Sequence, residues 1–311
     1  MMQSQPRVAV LLNASAGTLE VGGGENLRDA LAAVFEQHGI SATLQLLAGS
    51  DLQAAAEQAR QHVKAQDLDA LVVGGGDGSI RTVAHVLAGT GVPLGILPLG
   101  TLNHFARDLG IPTDVEEAIA LIAAGETRYL DVGEVNGATF INNSSIGLYP
   151  YLVLDRERRR RRLGLSKWTA MILAGFRVLR YLPISRLSIS TESSIEPCRS
   201  PSVFVGNNEY NLTTPAFGRR ERLDSGELCI YVAKAQSRLA LVRLAGRAVL
   251  GLLDPQRDLR AMKVPKAEIR SRSSRLLVAL DGEVEVLRPP LSYRMRPGAL
   301  CVFIPPASSE G

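Results

Sequence analysis

Two domains of different class are predicted, an α/β domain followed by a mostly antiparallel β-sandwich domain. Three observations predict them. Strand and helix signals alternate through the first 130 of the 311 residues, the pattern of a parallel sheet covered by crossover helices. After Thr127 the texture changes to short β-type runs separated by turn residues, as in an antiparallel sandwich or barrel-like domain. Charge changes sign at the same place. Residues 1–130 carry 7 Lys/Arg against 14 Asp/Glu, and residues 131–311 carry 28 against 17. The net charge of +4 therefore hides halves of −7 and +11, which suits two domains with different partners. The boundary is placed at a tight hinge near residues 126–132. It separates a domain 1–130 from a domain 131–294, with the tail 295–311 a candidate to pack back on the first.

In chain order, Arg7 to Asn13 is the first strand, ending at Asn13-Ala14-Ser15-Ala16-Gly17. Glu25 to His38 has helical periodicity through Leu27, Leu31, Val34 and Phe35, and Gly39 closes it. Ala42–Leu47 is a second strand, and Asp51–Gln66 an alanine-rich helix with Asp51 at its N-cap. Leu68–Val73 and Val92–Leu97 are the third and fourth strands, each followed by a helix, Ser79–Leu87 and the short Asn103–Leu109. A further helix, Asp114–Ala124, is capped by Thr113 or Asp114. The loops after strands one, three and four share the carboxyl edge of the sheet, where ligands of such folds bind.

Beyond Thr127 the β-type runs are Tyr129–Val135, Thr139–Ile146, Leu187–Thr191, Ser202–Gly206, Leu228–Ala233, Glu268–Ser271, Leu276–Leu280 and Val284–Leu287. Helical segments Leu165–Tyr181 and Arg238–Leu253 interrupt them, and Ala299–Ile304 reads as one more strand. The composition is ordinary for a globular protein, 46% apolar and 21% charged. Cys198, Cys229 and Cys301 are scattered, odd in number and in no metal-ligand spacing, as expected of reduced thiols in the cytoplasm. No secretion signal is visible before the first apolar run. The apolar stretch Thr169–Ile184 is broken by Arg177 and Arg180 and is too short to span a bilayer. A soluble, cytoplasmic protein is expected.

The most informative stretch is Leu71-Val72-Val73-Gly74-Gly75-Gly76-Asp77-Gly78-Ser79. Glycines at a strand-to-helix junction let the backbone approach a ligand closely, and the amides that open the next helix suit phosphate. Asp77 is the odd element, because a bare carboxylate repels phosphate. It points to work through a metal ion, a water, a ribose or a substrate hydroxyl. A P-loop would need a Lys-Ser/Thr pair where Ser79-Ile80 stands, and the dinucleotide fingerprint needs a spacing that Gly74–Gly78 lacks. A merely glycine-rich tight turn is the plainer alternative. The second loop is Pro98-Leu99-Gly100-Thr101-Leu102-Asn103-His104-Phe105-Ala106. Thr101 and Asn103 stand beside a helix N-terminus, where they bind phosphate, order Asp77, or simply cap the helix. A third segment, Asp281-Gly282-Glu283, carries two carboxylates and is locally a strong β-turn pair.

Together with Asn13-Ala14-Ser15-Ala16-Gly17, these segments resemble the diacylglycerol kinase catalytic family, a relative of NAD kinases and phosphofructokinases. The resemblance rests on four motifs in order over nearly the whole chain: N-P-x-S-G, G-G-D-G-T/S, P-x-G-T-x-N-D-x-A and D-G-E. It implies a phosphofructokinase/NAD-kinase-like α/β domain, then a β-sandwich domain, with ATP and substrate in the cleft. By motif match, Gly75, Gly76, Asp77, Gly78, Ser79 and Thr101 would hold the phosphates of Mg2+-ATP, with Asn13 and Asn103 bordering the site. Asp281 or Glu283 would be the base that deprotonates the acceptor hydroxyl, and Asp77 would be catalytic beside them. Three positions depart from the pattern. His104 stands for the usual Asp, Ala14 for Pro, and Ser225-Gly226 for an Asp-Gly pair at a structural magnesium site, where Asp224 is one residue out of register.

Arg156-Glu157-Arg158-Arg159-Arg160-Arg161-Arg162 is a solvent-facing basic run. It lacks the interleaved aromatics of a nucleic-acid contact, so no nucleic-acid partner is expected. An anionic membrane surface fits it better, at about 1 kcal/mol for each basic residue, with a plain solubilising loop as the alternative. Trp168, Met171, Ile172, Leu173 and Phe176 beyond it line a lipid entrance or an ordinary helix core. The expected activity is an ATP- and Mg2+-dependent lipid kinase, cytoplasmic and peripherally membrane-associated. A soluble-substrate kinase of NAD-kinase type and a regulator that has lost catalysis are the alternatives. The acceptor lipid is open, as is a homodimer.

Overall fold

The computed structural model describes residues 5–16, 24–154, 184–212, 218–235, 237–249 and 254–306. The expected helix Leu165–Tyr181, the arginine run 156–162 and Gly17 lie outside the described residues. The chain divides into two compact units, Met1–Val132 with Gly298–Gly311, and Gly133–Pro297.

In the first unit, near-continuous apolar runs make β1 (Arg7–Asn13), β3 (Ala70–Gly75) and β4 (Leu94–Pro98). Every residue of β3 and β4 is buried, as a parallel sheet covered on both faces requires. The more exposed β2 (Ser41–Leu47) is an edge, and the parallel order is β2-β1-β3-β4. Beside β4 runs the end of the last strand, with Val302 paired in parallel to Leu94. Helices α1 (Gly24–Gln37), α2 (Leu52–Lys64), α3 (Asp77–Leu87), α4 (His104–Asp108) and α5 (Val115–Ala124) make the connections. The Asp114 carboxylate accepts Glu117 N–H at 3.0 Å and starts α5, and Gly125 ends it at φ 75°. Asp51 stands at the α2 N-cap without a side-chain capping bond. Its carboxylate accepts the Ser50 hydroxyl instead, at 3.2 Å.

The second unit is built from antiparallel β-strands in two sheets, and the first and last of these strands have residues in both units. In chain order the strands are β5 (Thr127–Val135), β6 (Ala138–Phe140), β7 (Asn143–Gly147), β8 (Ser185–Ser190), β9 (Ile195–Ser200), β10 (Ser202–Asn207) and β11 (Leu228–Ala233). β12 (Leu259–Val264), β13 (Lys266–Ser271), β14 (Leu276–Leu280), β15 (Glu283–Leu287) and β16 (Leu291–Phe303) follow. One sheet has the order β12-β11-β10-β7-β14-β15. In the other, β13 lies between β16 and β8, β9 pairs β8, and β5 pairs β16 and β6. Residues from both sheets, among them Ile146, Val205 and Leu280 from the first and Leu187, Ile269 and Leu291 from the second, share one core. Helices α6 (Arg238–Val249) and α7 (Pro255–Asp258) connect β11 to β12. The fold class is the expected one, an α/β domain and an antiparallel β domain.

Four strand readings are corrected. The single run Thr139–Ile146 is two strands, because Ile141 and Asn142 leave the ladder and donate their amides, with that of Asn143 at the start of β7, to the Asp281 carboxylate. β9 and β12 escaped the sequence pattern: Pro197 and alternating polar residues weaken the one, and charged positions interrupt the other. β16 begins at Leu291 rather than Ala299 and continues through Pro297-Gly298, a pair that reads as a break. The cysteines carry no disulfide, and burial pushes the Cys229 and Cys198 thiols up.

Phe140 shows how tightly the second core is set. Its ring meets Tyr293 edge-on at 6.2 Å between centroids, and the Tyr293 hydroxyl bonds Ser144 Oγ at 2.9 Å. A Cβ at Gly133 would overlap the Phe140 ring. That ring is fully buried. Gly133→Ala is expected to lower stability by about 1–3 kcal/mol, read as a lower urea midpoint at unchanged slope. An unchanged midpoint would show that this core can relax.

Candidate functional site

The first-unit loops are built by close approach of two backbones. The Gly75 carbonyl accepts Leu99 N–H at 3.1 Å. A Cβ at Gly100 would overlap the Gly76 Cα, and one at Gly75 would sit 2.6 Å from Ser79 Oγ. Side chains therefore have no room where the β3–α3 and β4–α4 loops touch, which is the steric reason for glycine at both.

Polar side chains then lock the pair. Asp77, the first residue of α3, accepts His104 N–H through Oδ2 at 3.1 Å and Phe105 N–H through Oδ1 at 3.0 Å. It thus satisfies two of the amides that α4 leaves without helical partners. Asn103, buried at 6% exposure and left-handed at φ 48°, shapes the turn before α4. Its Oδ1 accepts Gly100 N–H at 3.0 Å, and its Nδ2 donates to the Pro98 and Gly100 carbonyls at 3.0 and 2.8 Å. Asn13 Nδ2 donates to Ser79 Oγ at 2.8 Å, tying the end of β1 to the start of α3. Asn13, Gly75, Gly76, Asp77, Gly78, Ser79 and Asn103 are thereby brought together, with Thr101 exposed on the same loop. The N-terminal turn of α3 points amides of the kind that bind phosphate.

This donor set fits a nucleotide's phosphates better than it fits a metal held by protein alone. Asp77 lends both oxygens to backbone amides, and no group of three His, Cys, Asp or Glu side chains gathers among the described residues. A magnesium ion here would be carried by the nucleotide. The structural-magnesium position of the second unit does not fit a cation either. Ser225 N–H and Oγ both bond Asn208 Oδ1, and the Asp224 carboxylate accepts Arg222 Nε at 3.2 Å. A hydroxyl, an amide and an exposed ion pair stand where a carboxylate ligand would be needed.

In the second unit Asp281 and Gly282 form the β14–β15 turn with φ of 48° and 88°. Two positive φ values are what a two-residue type I′ hairpin requires. The Asp281 carboxylate accepts three backbone amides, Ile141 N–H at 2.8 Å through Oδ2 and Asn142 and Asn143 N–H at 2.8 and 2.9 Å through Oδ1. With its lone pairs so directed, it is poorly placed to take a proton from a substrate. Glu283 opens β15 opposite Leu280 with an exposed side chain. The two carboxylates of one motif thus differ in kind, one holding backbone and the other facing solvent.

Sequence reasoning named these residues but not the partners of Asp77 and Asp281. The three amides on Asp281 lie 138 to 140 residues away in sequence, so no local pattern announces them. For Asp77 a signal existed: a carboxylate in one loop and a short helix start in the other.

Comparison with known proteins identifies the family. The profile of the diacylglycerol kinase catalytic domain matches residues 7–135. A "Probable lipid kinase YegS-like" of Pseudomonas aeruginosa is 31% identical over 241 residues, covering 76% of this chain and 77% of that protein. A "Diacylglycerol kinase" of Mycobacterium tuberculosis is 33% identical over 187 residues, 58% of this chain; the chain spans only 60% of that relative's length. In fold, the chain is similar to a crystal structure of a putative diacylglycerol kinase from Bacillus anthracis, with a TM-score of 0.73 at 23% identity over 96% of this chain and 97% of that one. On the extended Pseudomonas match and the catalytic-domain profile together, the chain belongs to the diacylglycerol kinase catalytic family.

Proposed function

We propose that this chain is an ATP-dependent lipid kinase that moves the γ-phosphate of ATP to a hydroxyl of diacylglycerol or a related lipid alcohol. The observation that carries the reading is the locked pair of loops in the first unit, where Asp77 ties the start of α3 to the start of α4 and Asn103 shapes the loop beside it. Kinase names among the relatives support the reaction class, and their lipid names support the acceptor class.

Phosphoryl transfer asks a protein mainly for positioning and charge. The Gly78 and Ser79 amides and the Thr101 hydroxyl bind phosphate oxygens. Magnesium, when bound with the nucleotide, offsets phosphate charge. Glu283 takes the proton as the acceptor oxygen bonds to the γ-phosphorus and the bond to the ADP oxygen breaks. Asp281 holds the turn from which Glu283 projects. The arginines 156–162 serve the anionic surface on which such a substrate resides, and the protein works at the membrane periphery. Among the described residues no helix is long and apolar enough to cross a membrane.

The test is transfer of γ-³²P from ATP, with magnesium, into a total lipid extract resolved by chromatography, beside a parallel reaction with NAD. A labelled lipid is expected. Glu283→Gln should lower its rate by about 10²–10⁴-fold without moving the melting temperature. Label in the NAD product, or in neither, would contradict the reading. Replacing the arginines of 156–162 by Ser should weaken action on anionic vesicles more than on detergent-dispersed lipid, and an equal effect on both would remove the membrane role.

A further inference from the structure

Arg220 is only 4% exposed. A guanidinium is rarely buried unless charge and hydrogen bonds compensate its lost water. Here Nη1 donates to the Ile141 carbonyl at 2.7 Å and the Asn207 carbonyl at 3.1 Å, and Nη2 donates to Asn142 Oδ1 at 2.6 Å. The guanidinium carbon also stands 5.4 Å from the centroid of the Tyr210 ring, within reach of a cation–π contact. Asn207 Nδ2 adds a second donor to the same Ile141 carbonyl at 2.9 Å.

The other side of that peptide group belongs to Asp281. The amide bonded to the Ile141 carbonyl carbon is Asn142 N–H, and it donates to Asp281 Oδ1 at 2.8 Å. A trans peptide directs its C=O and N–H to opposite sides. Arg220 and Asp281 therefore face each other across one peptide, with the peptide dipole aligned between cation and anion. Each polarises the group toward the other, and hydrogen bonds in such a chain strengthen one another.

We infer that Arg220 is a positioning residue for the Asp281-Gly282-Glu283 turn. It fixes the Ile141–Asn142 peptide, that peptide fixes Asp281, and the turn aims Glu283. Arg220 itself touches neither phosphate nor acceptor. The functional half of this inference rests on the lipid-kinase reading, whereas the coupling of Arg220 to Asp281 stands without it.

Steady-state transfer by the full chain tests the functional half. Arg220→Gln should lower kcat by about 100-fold, the scale of a misplacement of about 1 Å, with the KM for ATP unchanged. Arg220→Lys should recover part of the loss. Free guanidinium, too dilute to denature, should rescue Arg220→Ala. A rise in KM with kcat intact, or a loss that neither Lys nor guanidinium relieves, would reduce Arg220 to core packing. If Arg220→Gln does not fold, Asn142→Ala removes the Nη2 acceptor and keeps the guanidinium, and should lower kcat by a smaller factor at unchanged KM; an unchanged kcat there would overturn the role. The coupling is read without activity, from melting temperatures of Arg220→Gln, Asp281→Asn and the double variant. Coupled residues give a double loss smaller than the sum, and additive losses would overturn the inference. A wild type that phosphorylates no lipid would reject the kinase reading and leave this thermal cycle intact.

Discussion

Asp281 accepts three backbone amides from residues 141–143, and Asp77 accepts two from the start of α4. Both aspartates satisfy N–H groups that a loop or helix start leaves without backbone partners. Charge-assisted bonds of this kind are stronger than neutral ones. The rest of the site follows from where they are made. In the first unit the clamp sets one loop against another, so the opening turn of α3 is held rather than left to fluctuate. In the second unit the clamp holds Ile141 and Asn142 out of the strand ladder, up to the start of β7 at Asn143, and fixes the hairpin that bears Glu283.

The sheets supply the frame on which these clamps act. Parallel pairing of β1, β3 and β4 brings their carboxyl ends to one edge, so Asn13, the Gly75–Ser79 loop and the Pro98–Asn103 loop become neighbours despite their separation in sequence. Backbone contact between Gly76 and Gly100 completes the approach. Larger side chains there would separate the loops before Asp77 could reach the α4 amides. In the second unit, β7 pairs with both β10 and β14. The Asn143 end of β7 thereby lies beside Asn207 and beside the Asp281 turn, which is why one peptide can be held from two sides.

Much of this was legible in the sequence. The alternation of strand and helix signals, the sign change in charge and the motifs around Asp77, Asn103 and Asp281 gave the fold class and the family. What escaped has a physical cause. Asp77 reads as acting through a metal, a water, a ribose or a substrate hydroxyl, and Asn103 as binding phosphate, ordering Asp77 or capping the helix, yet both side chains bond backbone. Asp77 finds its amides 27 and 28 residues away, where only the pairing of a carboxylate loop with a short helix start hints at them. The Asp281-Gly282 pair read correctly as a turn, but its carboxylate partners lie far upstream. Arg220, beside Arg219 and near Arg222, has nothing in its local sequence to distinguish it. Burial alone sets it apart, and burial is a property of the folded second unit.

The measurement closest to the central claim is residue-resolved amide hydrogen exchange on wild type, Asp77→Asn and Asp281→Asn. The account predicts that Asp77→Asn deprotects the amides of His104 and Phe105 and leaves 141–143 protected, while Asp281→Asn does the reverse. Protection that survives at both places would mean that the two carboxylates do not hold these backbones, and would contradict the account.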